Sequence, residues 1–278
     1  MIREKRNQFR YFPLYSLAAI ITVLILFPAI FAILTSFKPI REIFTYPPAI
    51  FPHTWTVKPY ISIFSREKYL HYFFNGYFIS VCSTFLCVFL GSLAGYGFSR
   101  FKLPAKRLFL LGILAMQMFP GAVLMVSYFN LSKQLGLYNT YLVLIMIDTV
   151  FALPLVIWLL KSYFDSIPVS IEEAALIDGC SKVKVLLLIV APLARAGVIG
   201  TGMLAFIRAW NEFLFALILT KGPERAPITV GLAELFGQYS INWNGIMAIT
   251  TLAVIPLLVV FIFVQRYVIS GITSGAVK

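Results

Sequence analysis

The chain has 278 residues, of which 60% are hydrophobic and only 12% are charged, and its mean hydropathy is +0.89. A soluble domain usually carries about 25% charged residues, so this composition excludes a soluble globular domain and predicts a membrane protein. The net charge of +12 would suit nucleic acid, but the charged residues lie in gaps between apolar runs, which argues against a nucleic-acid partner.

Six apolar runs follow one another along the chain, and each is long enough to cross a bilayer core of ~30 Å as a helix. They cover residues 11–37, 73–99, 108–131, 141–160, 197–220 and 246–264. The first run is longer than the apolar core of a cleaved signal peptide. We therefore predict an all-α polytopic membrane protein, in which residues 1–278 form a single domain with six transmembrane helices surrounded by lipid.

Two of these runs carry residues that predict how their helices pack or bend. Gly91 and Gly95 in the second run form a small-xxx-small pair, which lets two helices approach closely. Pro120 and Gly121 interrupt the third run near its middle, because proline cannot continue the backbone hydrogen bonds of a helix.

The basic residues predict the orientation of the chain. Six spans place both termini on one side, together with the loop 100–107 and the segment 161–196. That side carries fourteen of the 23 Lys and Arg residues, and the opposite side carries eight, five of them in the long first loop. Because basic residues concentrate in short cytoplasmic segments, we expect both termini and the segment 161–196 to be cytoplasmic.

The segment between the fourth and fifth runs predicts a short cytoplasmic helical hairpin. Ser170 as N-cap and Glu173 three residues later form a capping box that would begin a helix over 171–178. Gly179 can end that helix in a left-handed conformation. A second helical run is expected from Lys182 towards Pro192.

One face of the first hairpin helix is predicted to be nearly flat. Ile171, Ala174, Ala175 and Asp178 follow the i, i+3, i+4, i+7 spacing, which puts them on one side of the helix. A partner could approach this face closely, and the leading carboxylates of Glu172 and Glu173 offer charge to a basic partner. An ordinary amphipathic hairpin is the alternative.

The hairpin resembles the cytoplasmic coupling loop of permeases in ATP-binding-cassette importers, the part that docks in a cleft of the ATPase subunit. The matching residues are Glu173, Ala174, Ala175, Asp178, Gly179, Ile189 and Pro192, whereas Cys180, Leu186 and Ala196 depart from the usual pattern. The resemblance implies a coupling helix between the fourth and fifth spans, with ATPase-coupling residues Glu172, Glu173, Ala174, Ala175, Asp178 and Gly179.

Other stretches are similar to the carbohydrate, maltose-type branch of these permeases. They are Ser36-Phe37-Lys38, Asn75, Trp210-Asn211-Glu212-Phe213, Gln265-Arg266-Tyr267 and the residues 275–278. This resemblance implies an importer of a sugar or related polar solute in the inner membrane of a bacterium or archaeon. It also implies three kinds of partner: a second homologous permease in a heterodimer, two copies of an ATPase, and an external solute-binding protein.

The chain carries no motif for chemistry of its own. It lacks the GxxxxGK[ST] phosphate-binding loop, so no cofactor is expected in this chain, and ATP with Mg²⁺ would bind the partner ATPase. His53 and His71 are isolated, and Cys82, Cys87 and Cys180 show no metal-ligand spacing. We expect neither an enzyme nor a metal site.

Four polar residues inside the spans are candidates for the translocation path: Asp148, Arg208, Asn211 and Glu212. Such residues usually face the bundle interior or a water-filled path, although they can also hold helices together by hydrogen bonds. We predict that Asp148 pairs with Arg208; Glu212 as the partner, or separation across a water-lined cavity, are the alternatives. A secondary transporter or channel that uses Asp148, Arg208 and Glu212 is the alternative function, and a coupling segment would have no role in it.

The loop 221–244 joins the fifth and sixth spans and is external by the same parity. It contains an apolar stretch, 228–232, and the family resemblance implies that the loop contacts the solute-binding protein. A loop that only closes the mouth of the pore is the alternative.

Overall fold

The computed structural model describes residues 2–236 and 241–276, and it describes side chains within 13–236 and 241–266. Helices make up all the regular structure of this part of the chain, apart from one isolated antiparallel bridge between Phe236 and Ile241. The α-helices are α1 Ile2–Ser36, α2 Ile40–Ile43, α3 Lys58–Phe64, α4 Glu67–Arg100, α5 Lys106–Ala115, α6 Gly121–Gln134, α7 Tyr141–Asp165, α8 Val169–Ile177, α9 Lys182–Val185, α10 Ala191–Leu193, α11 Arg195–Trp210, α12 Leu214–Leu219, α13 Ile228–Ala233 and α14 Trp243–Ala276. A 3-10 helix, Met116–Met118, follows α5, and a π-helix, Leu186–Val190, joins α9 to α10.

Within the described residues, four helices are long and apolar enough to cross a membrane: Pro13–Ser36, Glu67–Arg100, Tyr141–Asp165 and Trp243–Arg266. The number rises to six if each of two bent pairs counts as one span. These pairs are Lys106–Met118 with Gly121–Gln134, bent by 91°, and Lys182–Leu193 with Arg195–Trp210, bent by 86°. The all-α polytopic fold is confirmed, with four to six candidate spans.

The structure confirms one predicted interruption and adds another. The third apolar run breaks at Pro120, whose backbone is extended, and α6 begins at Gly121. The fifth run, predicted as one helix over 197–220, is instead divided into α11 and α12. Asn211 leaves helical geometry at φ −91° and ψ 2°, and Phe213 follows at φ −130°.

The chain divides into two compact units, residues 1–66 with 234–254 and residues 67–233 with 255–278. In the second unit, α4 packs against α7 through the predicted glycine pair. A Cβ atom on Gly91 would lie 2.5 Å from Val156 Cγ1, and one on Gly95 would lie 3.1 Å from the backbone nitrogen of Lys161. Only glycine permits this close approach, so the small-xxx-small prediction is confirmed.

The first unit contains a folded segment where the sequence indicated only a polar loop after Phe37. Lys38 is 3% exposed, and its Nζ donates a 2.6 Å hydrogen bond to the Ala49 carbonyl oxygen. The Glu42 carboxylate accepts hydrogen bonds from the backbone N–H groups of His53 (3.0 Å) and Thr54 (2.9 Å). Desolvation raises the pKa of Glu42, but these hydrogen bonds outweigh it and hold the pKa below its usual value.

Candidate functional sites

The predicted hairpin exists, but its first helix begins differently from the prediction. Helix α8 starts at Val169 after Pro168, which acts as N-cap without a side-chain hydrogen bond. Ser170 therefore lies inside the helix, and the predicted capping box with Glu173 is wrong. Pro168 adopts φ −58° and ψ 130°, and its fixed φ suits the entry into a helix.

The end of α8 follows the prediction. Gly179 has φ +86°, its N–H donates to the Leu176 carbonyl, and the N–H of Cys180 donates to the Ala175 carbonyl. These two hydrogen bonds form a Schellman motif, in which a glycine takes the left-handed position without steric cost. Ser181 then caps the second helical run, accepting from the Lys184 N–H at 3.4 Å, and the run reaches Leu193 through α9, the π-helix and α10.

The predicted flat face of α8 is divided between the interior and the surface. Ala175 is 7% exposed and belongs to a core cluster with Phe164 and Val185. Ile171, Ala174 and Asp178 remain exposed. The expectation that Ala175 lies on an open docking face is therefore wrong, because the same side of the helix packs against its own chain.

Glu172 anchors the hairpin to the body of the second unit. Its Oε1 atom lies 2.6 Å from an Arg100 guanidinium nitrogen in a salt bridge and accepts a 2.7 Å hydrogen bond from Arg100 Nε. Its Oε2 atom accepts a 2.7 Å hydrogen bond from the Tyr96 hydroxyl. Both charged groups are largely buried. The expectation that Glu172 offers its charge to a basic partner is therefore wrong.

Arg100 also holds the segment that leads into the hairpin. Its guanidinium donates to the carbonyl oxygens of Phe164 (2.8 Å) and Ile167 (3.0 Å), at the end of α7 and just before α8. The sequence showed Arg100 only as the first residue of a basic loop. No local pattern pairs it with Glu172, which lies 72 positions further along the chain.

The rest of the hairpin presents apolar and acidic side chains outward. Ile177, next to the turn, is 86% exposed, and Val183, Leu187 and Leu188 are exposed as well. Glu173 is also on the surface. Exposed apolar side chains of this kind can pack against a partner protein or against lipid.

A second site is a cavity of about 700 Å³ in the second unit. Its lining includes all four polar residues predicted inside the spans: Asp148, Arg208, Asn211 and Glu212. Residues that the sequence did not single out complete it, among them Gln117, Phe119, Phe151, Leu204 and Phe215. The breaks at Pro120 and at 211–213 both border this cavity, so the two interrupted runs meet there.

The predicted ion pair between Asp148 and Arg208 is wrong. No salt bridge within 4.0 Å joins Arg208 to Asp148 or to Glu212; instead its guanidinium lies 5.3 Å from the centroid of the Phe151 ring. A guanidinium at this distance is attracted by the face of the ring. Both charged side chains line the cavity, which is the arrangement the sequence left as an alternative.

Glu212 has a structural role that accounts for its place beside the break. Its Oε1 accepts from the Phe215 N–H and its Oε2 from the Ala216 N–H, each at 2.8 Å. A carboxylate here satisfies free N–H groups at the start of α12 and complements the helix dipole. Asn211 donates its side-chain amide to the Ile207 carbonyl at 2.7 Å. Glu212 thus both supports a helix and lines the cavity.

The loop after α12 is fixed to the second unit by Asn75. Its amide donates to the carbonyl oxygens of Pro223 (2.8 Å) and Ala226 (2.9 Å). Ile228 and Gly231 are buried, so the predicted apolar contact stretch 228–232 is not an open patch. Residues 237–240 of this loop lie outside the described part.

No group of three or more His, Cys, Asp or Glu side chains in the described residues could hold a metal ion. Cys82, Cys87 and Cys180 are free thiols.

Residues 87–274 match the family model "Binding-protein-dependent transport system inner membrane component". The chain is 36% identical over 261 residues to the sulfoquinovosyl glycerol transport system permease protein SmoH of Agrobacterium fabrum, covering 94% of this chain and 92% of that protein. It is 34% identical over 265 residues to the trehalose/maltose transport system permease protein MalG of Thermococcus litoralis, covering 94% of each. Its fold is similar to a chain from the crystal structure of a bacterial ABC transporter involved in the import of alginate, with a TM-score of 0.79, 21% identity, and coverage of 95% of this chain and 98% of that one.

Proposed function

The chain belongs to the family of binding-protein-dependent transport system inner membrane components, and from this premise we propose that it moves a sugar or related polar solute into the cytoplasm. It is a multi-pass permease of the inner membrane and is not itself catalytic, since the ATPase of such an importer is a separate subunit. Because the chain belongs to this family, we reject the alternative of a secondary transporter or channel.

The solute class is supported by relatives that match this chain over nearly its whole length. SmoH is named as a permease protein for sulfoquinovosyl glycerol transport, and MalG as one for trehalose/maltose transport. Both matches extend over 94% of the chain, which supports the same general role in sugar transport.

The hairpin is proposed as the coupling element. Its support is one observation: α8 is held from inside by the buried Arg100–Glu172 pair, while the side next to the turn exposes apolar and acidic groups. A rigid element with such a surface suits a docking partner that must transmit movement. We assign docking to Glu173, Ala174, Ile177 and Asp178, and assign anchoring to Glu172 and Ala175, with Gly179 shaping the turn.

The remaining partners complete the proposed assembly. A second homologous permease would form a heterodimer with residues 1–278 acting as one permease domain, and two ATPase copies would bind on the cytoplasmic side. An external binding protein would deliver the solute. The most apolar stretch of the helix Pro13–Ser36 is not buried by other described residues of this chain, which suits contact with lipid or with the partner permease. The basic residues support cytoplasmic termini.

Purification of the chain with the products of neighbouring genes, followed by reconstitution into vesicles, tests this function. Uptake of a neutral disaccharide such as trehalose or maltose should require both ATP on the hairpin side and the external binding protein. Uptake driven by a proton or sodium gradient without ATP would contradict the proposal.

A further inference from the structure

Asp148 is a buried carboxylate with no partner among the described residues. It is 4% exposed, it lines the cavity, and no hydrogen bond or salt bridge to a described residue is formed by its carboxylate. Burial of a carboxyl group in this state is costly unless another group hydrogen-bonds to it. The cavity side is the direction from which a ligand or water could do so.

Arg208 faces the same cavity, and no carboxylate of a described residue lies within salt-bridge distance of it. Its guanidinium rests on the Phe151 ring at 5.3 Å and leaves its N–H donors for another group. Asp148 therefore offers hydrogen-bond acceptors to the cavity and Arg208 offers donors to it, and the two side chains form no salt bridge with each other.

The cavity has the size and walls of a binding site for a small molecule. Its volume of about 700 Å³ lies within the roughly 300–1,000 Å³ of ligand pockets, which are largely apolar with a few oriented polar groups. Phe119, Phe151 and Phe215 supply aromatic surface, and Asn211 with Gln117 adds amide groups.

The charges of the lining discriminate between ligand classes. The lining holds two acidic side chains, Asp148 and Glu212, and one basic side chain, Arg208, so an anionic ligand finds a single cationic partner there. A cationic ligand would be repelled by Arg208. A hydroxyl group can donate to a carboxylate and accept from a guanidinium, and such charge-assisted hydrogen bonds are the strong ones.

We propose that this cavity is a solute subsite for a neutral, hydroxyl-rich ring, with one hydroxyl donating to Asp148, another accepting from Arg208, and the apolar ring face lying on the phenylalanine surface. This inference rests on the proposed function and narrows it: sugars that carry a carboxylate or sulfonate are disfavoured at this position. The Glu212 carboxylate orients α12 at the edge of the subsite and is not itself assigned to the ligand.

The test uses the complete reconstituted transporter, with trehalose and maltose as neutral probes and a mannuronic acid disaccharide as the anionic probe. Asp148→Asn and Arg208→Gln should each lower the ratio of neutral sugar transported to ATP hydrolysed by about tenfold or more, as expected for a lost hydrogen bond to a charged group. ATP hydrolysis stimulated by the binding protein should persist. Lys133→Gln is the matched control, because Lys133 also lies over an aromatic ring (Phe129, 4.5 Å) but outside the cavity.

A second measurement does not depend on the activity of these variants. Leu204→Cys places a thiol on the cavity wall, and its labelling by a small thiol reagent is compared with the unsubstituted chain to subtract Cys82, Cys87 and Cys180. Neutral sugar should slow labelling at Leu204→Cys, and Arg208→Gln should remove that protection. The anionic disaccharide should protect less.

Three outcomes would overturn the inference. Normal ratios of sugar transported to ATP hydrolysed in both Asp148→Asn and Arg208→Gln would refute the subsite and leave the importer function intact. Preferential uptake of the anionic probe, or stronger protection by it, would have the same consequence. Absence of uptake of every sugar by an assembled, ATP-hydrolysing complex, together with absence of protection, would refute the proposed function and the subsite with it.

Discussion

The guanidinium of Arg100 and the carboxylate of Glu172 meet at 2.6 Å in a largely buried salt bridge that joins the last residue of α4 to the first turn of α8. The Tyr96 hydroxyl completes the coordination of the same carboxylate. The hairpin is thus attached to the longest helix of the second unit by charge as well as by packing. We expect a force applied to the hairpin to be transmitted to α4 through this contact.

Removal of either partner of this pair should destabilise the permease strongly. Glu172→Gln leaves the Arg100 charge buried and uncompensated, and breaking a buried pair in this way costs about 3–5 kcal/mol. Arg100→Gln should cost at least as much, since Arg100 also donates to the Phe164 and Ile167 carbonyls. Unfolding in mild detergent, followed by tryptophan fluorescence, measures the loss.

The control for this prediction is Glu67→Gln, which removes an exposed pair with His71 (3.5 Å, with Glu67 88% exposed). Surface changes of this kind shift stability by less than about 0.5 kcal/mol. The double variant Arg100→Gln/Glu172→Gln should be no less stable than the less stable of the two single variants. Simple addition of the two losses would show that the pair is not coupled.

Tryptophan substitutions at Ala174 and Ala175 should separate docking from folding. Ala175 is packed in the core cluster of the second unit, so Ala175→Trp should overpack it and reduce the yield of folded permease, at a cost of about 1–3 kcal/mol or more. Ala174 is exposed beside it. Ala174→Trp should leave the yield and melting unchanged but reduce ATPase binding and solute-stimulated ATP hydrolysis. Normal stimulation in the Ala174→Trp complex would show that this face does not dock.

The contact between α4 and α7 should respond to glycine substitutions according to their position. A methyl group on Gly91 would lie 2.5 Å from Val156 Cγ1, so Gly91→Ala should destabilise the permease by about 1–3 kcal/mol through overpacking. Gly97 is the matched control on the same helix, where only Phe101 Cδ2 lies near, at 3.9 Å. Gly97→Ala should be neutral or stabilising by up to about 1 kcal/mol, because alanine favours a helix. Equal melting temperatures for the two variants would contradict this packing.

Crosslinking should distinguish exposed from buried positions of the loop after α12. Lys221, Glu224 and Phe236 are exposed, whereas Gly231 would place a Cβ atom 2.3 Å from the Tyr72 ring. Cysteines at the three exposed positions should capture the binding protein in a complex trapped with an ATP analogue, and Gly231→Cys should not. Failure at all three exposed positions would indicate that the loop only closes the mouth of the pore.

The sequence by itself determined the class of the protein and its principal elements. Apolar runs of sufficient length can satisfy their backbone groups in lipid only as helices. Hydropathy alone therefore predicted helices over 73–99 and 141–160, which the structure extends to Glu67–Arg100 and Tyr141–Asp165. Local backbone chemistry was equally informative where one residue decides the geometry: Pro120 broke the third run, and Gly179 ended α8 in the left-handed conformation.

Only the tertiary structure decided which side of each element is buried and which charges meet. The spacing of Ile171, Ala174 and Ala175 described one helix face, but packing by α7 and α9 set which part of that face is covered. Arg100 found Glu172 across 72 positions, and Arg208 turned to Phe151 rather than to Asp148. Such pairings depend on how close in space two helices lie that are far apart in the sequence. A local pattern of residues does not contain this information.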